Sequence, residues 1–438
     1  MPFLKEIRLS NLLSYGPDTP PLELRPLNVF IGPNGSGKSN LIEAISLLRS
    51  APDSMADEIR ESGGIQDWIW KGSDSKVGEL DVVVENPQLL RKPILHKVCF
   101  CEVAQRFEIL GESIADSPQK GGQYYYRFQE GRAEVRPRKI SETENLEGTA
   151  VEPPKKNGST TRHKEIADKI ARRLGDVLKD SALAYHRFMR PLSRVKALSR
   201  SEIASDRSIL ALRDDPDLYP EIGFLAEQYS RISIYREWSF GRHAPGRKSA
   251  KSDLRSDRML PDCSNLGLVL GQIRRNATLR KTFLTNLQAI LPDVTDFIIH
   301  NEGGTVLVFL TEGAFDIPAT RLSDGTLRYL CLLAILCNPT PPPLICIEEP
   351  ELGLHPDVMH AIGKLLKQAS ERTQLIVTTH SEELIDFLSE SPEDVVVCEK
   401  HEGQTEMNRL DENQLKAWLE EYSLGDLWRR GEIGGNRW

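Results

Sequence analysis

The chain has 438 residues, enough for a large core and two or three lobes. With 39% hydrophobic and 27% charged residues its composition is ordinary for a soluble globular protein, and its longest apolar run, Tyr329 to Cys337, is far below the roughly 18 residues of a membrane-spanning helix. The net charge of −8 is unevenly spread: residues 121–280 hold 31 Lys and Arg against 21 Asp and Glu, and the remainder 25 against 43, so a basic middle sits on an acidic body and contact with a polyanion is conceivable.

The N-terminus, MPFLKEIRLS, alternates like a strand and lacks the charged head and apolar core of a signal peptide. Seven cysteines show no zinc-like pairing, and Cys99 and Cys101 read as buried small hydrophobes. Both features fit a reducing cytoplasm. A second strand, Leu27–Ile31, leads into GPNGSGKS and then into SNLIEAISLLRS, whose apolar residues fall at helical spacing. Strand-like runs recur at 79–85, 96–110 and 123–136. Residues 140–162 are polar with Pro, Gly and Ser and read as an exposed linker. A basic, mostly helical stretch fills about 163–290. A strand-rich return at 295–312, an apolar strand at 343–347, a helix at 357–370 and a strand at 374–378 follow. No internal repeat and no sustained heptad pattern is present.

Gly32-Pro33-Asn34-Gly35-Ser36-Gly37-Lys38-Ser39 fits the phosphate-binding loop pattern between a strand and a helix, with Asn40 next in the helix. Its glycines let backbone N–H groups turn inward on phosphate oxygens. Lys38 is expected to reach the β- and γ-phosphates of ATP, and Ser39 to give its hydroxyl to Mg²⁺. Downstream, PLICIEEPELGLHP places Glu348 and Glu349 at the end of a buried strand, where neighbouring side chains point to opposite sides. Glu348 is assigned to the Mg²⁺ shell and Glu349 to activation of the attacking water. One strand further on, TTHS makes His380 a candidate sensor of the γ-phosphate. Alone, the two glutamates would read as a solvated acidic turn and the histidine as structural. RLSDGTLRYL adds a second anion-binding candidate, with Ser323 and Gly325 ahead of a hydrophobic helix. The plainer reading is a helix capped by Ser323.

The order P-loop, LSDGT, strand ending in EE and strand ending in TTHS resembles ABC-type ATPase heads. It is most similar to the RecF/SMC-like branch and to the ATPase part of the overcoming-lysogenization-defect (OLD) nucleases, without their TOPRIM domain. The likeness covers residues 1–50 and 315–400 and is general between them. It implies an α/β P-loop head with a large inserted mixed α/β to helical lobe and no long coiled coil. The expected divisions are 1–140 and 295–400 for the two halves of the head, 141–294 for the basic insert and 401–438 for a helical tail. It further implies Leu322 to Thr326 as the signature motif, acting on nucleotide held by a second copy in a head-to-tail homodimer, and Pro350–Pro356 as the dimer-contacting turn. Glu348 stands where an aspartate is usual. Gln66, in SGGIQDWIWKG, is the candidate Q-loop ligand of the metal.

SALAYHRFMRPLSRVKALSR (181–200) and RISIYREWSFGRHAPGRKSAKSDLRSDR (231–258) are basic, the second interleaved with Tyr235, Trp238 and Phe240. They read either as nucleic-acid contacts with stacking aromatics or as a solvated basic face over core aromatics. Trp418, Trp428 and Trp438 suit a tail packed on the head. No nuclease cluster is visible. The family likeness therefore implies an ATPase sensor or regulator with a separately encoded effector, in an anti-phage or toxin–antitoxin-like module. A RecF-like DNA-repair ATPase and a nucleotide-gated scaffold with little turnover are the alternatives. No membrane contact is expected.

Overall fold

A computed structural model describes residues 2–72, 75–87, 92–116, 124–129, 132–136, 196–198, 204–212, 218–236 and 238–435. An antiparallel meander comes first: β1 (Leu4–Ser10), β2 (Leu22–Glu23), β4 (Val77–Val84), β5 (Ile94–Val103), β6 (Arg106–Ala115), β7 (Tyr124–Gln129), β8 (Arg132–Val135) and β9 (Lys196–Leu198) pair in the order β2-β1-β4-β5-β6-β7-β8-β9. The run read as one strand over 96–110 is a hairpin. It folds at Ala104 and Gln105, both with positive φ, where no glycine or asparagine announces a turn.

The central sheet has the order β10-β15-β16-β3-β17-β18, built from β3 (Leu27–Ile31), β10 (Ser233–Tyr235), β15 (Leu344–Glu348), β16 (Gln374–Thr378), β17 (Val395–His401) and β18 (Gln404–Arg409). All pairings in it are parallel except β17 with β18. Its central strands are mostly apolar because both faces are covered, with Asn28, Gln374 and Thr378 as buried polar exceptions. Phe30, Cys346, Ile376 and Val396 pack towards the meander and the Lys38–Ser50 helix. Val29, Ile31, Ile345, Ile347, Leu375 and Val377 pack towards the Asp324–Leu336 and Met359–Ser370 helices. Burying each such side chain contributes about 1.5–3 kcal/mol, so this two-sided core fixes the strand register. Glu348 is level with Thr378, and Thr378 with Phe30, which brings three strand ends to one edge.

A third, antiparallel sheet joins β11 (Ala250–Lys251), β12 (Val294–Glu302), β13 (Thr305–Glu312) and β14 (Phe315–Pro318). The expected insert over 141–294 needs correction at this level. Ser233–Tyr235 is the edge strand of the central sheet, parallel to β15, so the head reclaims the chain well before residue 294. A strand of only three residues, Ser233–Tyr235, carries too little periodicity to reveal itself. The helical tail expected over 401–438 begins instead with β18, paired antiparallel to β17 in the central sheet, so helix starts only at Glu412. Further on, the Leu424–Arg429 helix packs on the Glu382–Phe387 helix and buries Trp428, whereas Trp418 is exposed, and Trp438 lies outside the described residues. All seven cysteines are free thiols. No helix among the described residues is long and apolar enough to cross a membrane.

Candidate functional site

The P-loop leaves β3 at Ile31 and closes on the first turn of the Lys38–Ser50 helix. Two of its glycines are obligatory. A β-carbon on Gly32, at φ 144°, would lie 2.1 Å from the Cys398 carbonyl oxygen of β17, and one on Gly37, at φ 101°, would lie 2.1 Å from Thr405 Oγ1. Asn34 and Gly35 form the exposed crest and Pro33 is half-buried. Gly37 begins the helix without a side-chain cap, so the first helical N–H groups are free for an anion. Lys38 Nζ donates to the carbonyls of Gly32 (2.7 Å) and Pro33 (3.1 Å). Burial lowers its pKa, against the opposing pull of nearby acid groups that include Glu349, Glu348 and Glu351. Ser36 Oγ is buried with no hydrogen-bond partner among the described residues.

The loop is braced from β18 and from the turn after β1. Thr405 Oγ1 lies 2.8 Å from the Ser36 carbonyl and 2.7 Å from Ser14 Oγ, and Asn40 Nδ2 donates to Ser14 Oγ at 2.7 Å. Tyr15 donates its hydroxyl to the Gly37 carbonyl at 3.0 Å. Thr405 was not foreseeable from the sequence, because it meets the loop across 369 positions.

Ser39 Oγ donates directly to Glu348 Oε1. Glu349 departs from the strand geometry expected of it: β15 ends at Glu348, and Glu349 turns into the left-handed region at φ 45°. Strand alternation therefore does not extend to Glu349. Its N–H reaches the Thr378 carbonyl at 2.9 Å, and its own carbonyl accepts from Arg328 at 2.7 Å. Arg328 lies over the Trp238 ring, 4.8 Å from its centroid, and burial pushes its pKa down to about 10. The Trp238 indole N–H donates to the Glu348 carbonyl at 2.9 Å. His380 Nε2 stands 3.7 Å from Glu349 Oε1, while its backbone N–H donates to Glu351 at 2.6 Å. Burial, then the Lys38 charge, holds the imidazole below its usual pKa, with Glu349 opposing; burial raises that of Glu351.

The signature segment opens the Asp324–Leu336 helix. Ser323 caps it, its Oγ accepting from Thr326 N–H at 3.0 Å, so the plainer reading of this residue holds locally. A β-carbon on Gly325 would lie 3.2 Å from the Gly353 carbonyl oxygen, which sets the signature directly against the Pro350–Pro356 turn. Among the described residues no hydrogen bond joins residues 323–326 to the P-loop.

Two expectations fare differently. Gln66, on the short Ile65–Trp68 helix, donates its amide to Glu102 at 2.9 Å; no hydrogen bond among the described residues joins it to Ser39 or Glu348. The aromatics of 231–258 are not a stacking platform for bases. Tyr235 and Phe240 are buried, and Trp238 is stacked between them at 6.0 and 5.6 Å, behind the two glutamates. The segment 181–200 lies outside the described residues apart from the backbone of 196–198.

Hard oxygen donors at Ser39 and Glu348, beside an uncapped helix start and an unpartnered Ser36 hydroxyl, fit a nucleotide with Mg²⁺. No group of three His, Cys, Asp or Glu able to hold a metal occurs among the described residues.

This arrangement of sheets and loops is the fold of ABC-type P-loop ATPase heads of the RecF/SMC-like kind. The fold is shared with the SMC head bound to the C-terminal winged-helix domain of ScpA, at 14% identity and TM-score 0.50, covering 94% of this chain and 99% of that one. Residues 27–386 match the family described as "AAA domain, putative AbiEii toxin, Type IV TA system", and the chain belongs to that family. In sequence it is also similar to ABC transporter A family members 4 and 7 of Arabidopsis thaliana, at 35% and 34% identity over 77 residues, or 18% and 17% of this chain. The match spans only 8% of either transporter's length.

Proposed function

We propose that this protein hydrolyses ATP with Mg²⁺ at a site completed by a second copy, and that the resulting closing and opening regulates a separately encoded effector. The carrying observation is the half-built pocket. Ser39, Glu348, Glu349 and His380 gather at one sheet edge, whereas Ser323 is exposed and the adjoining turn presents Leu352 at 55% exposure. A helix N-terminus is suited to receive an anion, and the head-to-tail pairing expected of this fold would bring one to it.

In that reading the inward N–H groups of the P-loop and Lys38 hold the phosphates, and Lys38 must exchange its two carbonyl partners for them. Ser39 and Glu348 would hold the Mg²⁺, which neutralises charge on the β- and γ-phosphates when bound. Glu349 orients water and accepts its proton, with His380, kept neutral by its surroundings, at the γ-phosphate. The family's toxin–antitoxin description supports a regulatory role beside an effector nuclease or toxin. DNA contact through 231–258, as in a repair ATPase, is left without the stacking aromatics of that segment.

Glu349→Gln with ATP and Mg²⁺ is expected to convert the sedimenting species to a dimer, and Lys38→Ala to abolish hydrolysis. An unchanged sedimentation profile would remove ATP-gated pairing; normal turnover by Lys38→Ala would remove the site assignment.

A further inference from the structure

Arg247 lies in the basic middle segment, outside every motif of the sequence, yet only 5% of it is exposed. Its guanidinium spans the approach to the signature. Nε donates to the carbonyls of Phe240 (3.0 Å) and Gly241 (3.1 Å), and Nη1 to those of Ala319 (3.3 Å) and Leu322 (2.5 Å). Nη2 pairs with the carboxylate of Asp324, the first residue of the signature helix.

That last contact bears on charge. Asp324 suits a helix N-terminus, but its carboxylate stands beside the N–H groups that would receive a phosphate, and two anions compete for one positive end. An arginine fork that binds both the preceding carbonyls and the carboxylate holds the turn in shape and cancels the competing charge. The Asp324 side chain is 65% exposed, so removing the arginine would leave its negative charge facing an incoming anion.

We infer that Arg247 is a positioning residue of the composite site: it shapes the signature turn and neutralises Asp324 so that the helix can accept the γ-phosphate of nucleotide bound by the partner copy. This rests on the paired reading above.

The test is steady-state ATP hydrolysis by four preparations: Arg247→Met, Arg247→Met with Asp324→Asn, a mixture of Arg247→Met with Lys38→Ala, and a control mixture of Ser323→Arg with Lys38→Ala. Arg247→Met should lose about tenfold or more, and removing the Asp324 charge should restore part of that loss. Mixing with Lys38→Ala should raise activity several-fold above either alone, because one P-loop and one signature in the mixed pair are intact. Full activity of Arg247→Met overturns the inference. So does a dead Arg247→Met mixture beside an active control mixture, or no gain from Asp324→Asn. A dead control mixture refutes the pairing itself. Should Arg247→Met fail to fold, Arg247→Lys keeps the charge but not the fork, and the same mixtures decide.

Discussion

Thr405→Val is the sharpest probe of how the distant C-terminal hairpin serves the P-loop. Threonine and valine have nearly the same shape, so the substitution removes a hydroxyl and little else. With one proton to give, Thr405 donates to the Ser36 carbonyl at 2.8 Å and takes the proton of Ser14 Oγ at 2.7 Å. Valine therefore strands one buried acceptor in the P-loop and one buried hydroxyl beside it, in a place where Thr405 is 2% exposed and Ser36 fully buried. Each unsatisfied group costs about 1–3 kcal/mol, so the loss of stability is on the order of 2–4 kcal/mol once partial relaxation is allowed. The Ser36 carbonyl sits between Gly35 and Gly37, both at positive φ, so the local damage should fall on phosphate binding. Urea unfolding and ATP titration with a fluorescent analogue measure the two effects. A weaker nucleotide affinity with turnover at saturation nearly preserved is expected. A variant as stable as the native chain, binding ATP equally well, would refute the brace.

Other outcomes follow from the same geometry. Gly32→Ala drives a β-carbon to within 2.1 Å of a backbone oxygen on the neighbouring strand and should abolish nucleotide binding, checked by the same titration. Trp238→Phe keeps the aromatic stack but loses the indole N–H to Glu348. It should lower turnover more than affinity by about 1 kcal/mol, whereas an equal effect on both would argue against a role in placing the glutamates. Arg328→Met removes the donor to the Glu349 carbonyl and the contact with Trp238. A fall in kcat with KM little changed is expected from hydrolysis kinetics. His380 has its folded-state pKa below the ordinary value near 6.5, so the unfolded chain binds the proton first on acidification. The stability tied to that neutral imidazole is complete above the unfolded pKa and is lost as pH falls through the lower folded one. His380→Gln should therefore flatten the pH dependence of urea unfolding below pH 6.5, and an unchanged slope would refute the assignment.

The parts legible in the sequence were those whose chemistry is local. GPNGSGKS, the EE strand end and TTHS each need a strand, a turn and a few side chains within one short segment, and parallel pairing of β3, β15 and β16 then brings the three ends together. What escaped reading depends on separations that no motif encodes. Thr405 reaches the P-loop from β18, Arg328 reaches Glu349 from the middle of another motif, and Gln66 turns to Glu102.

The segment 231–258 shows why composition left two readings open. Arginines interleaved with aromatics have the same letters whether they meet a polyanion or hold a catalytic turn, and only burial separates the two. Here Trp238 stacks on Phe240 and donates to the Glu348 carbonyl, while Arg247 donates to the carbonyls of Phe240, Gly241, Ala319 and Leu322 and pairs with Asp324 at the signature. An arginine with that many fixed partners is costly to free, since each released carbonyl would lie buried without a donor. Part of the basic character of this stretch is thus taken up in holding the signature turn, while Arg242, Lys248, Lys251 and Arg255 stay exposed. Arg328, from the Asp324–Leu336 helix, donates to the Glu349 carbonyl, so under the proposed pairing it is the contact through which nucleotide at Ser323 would act on Glu349.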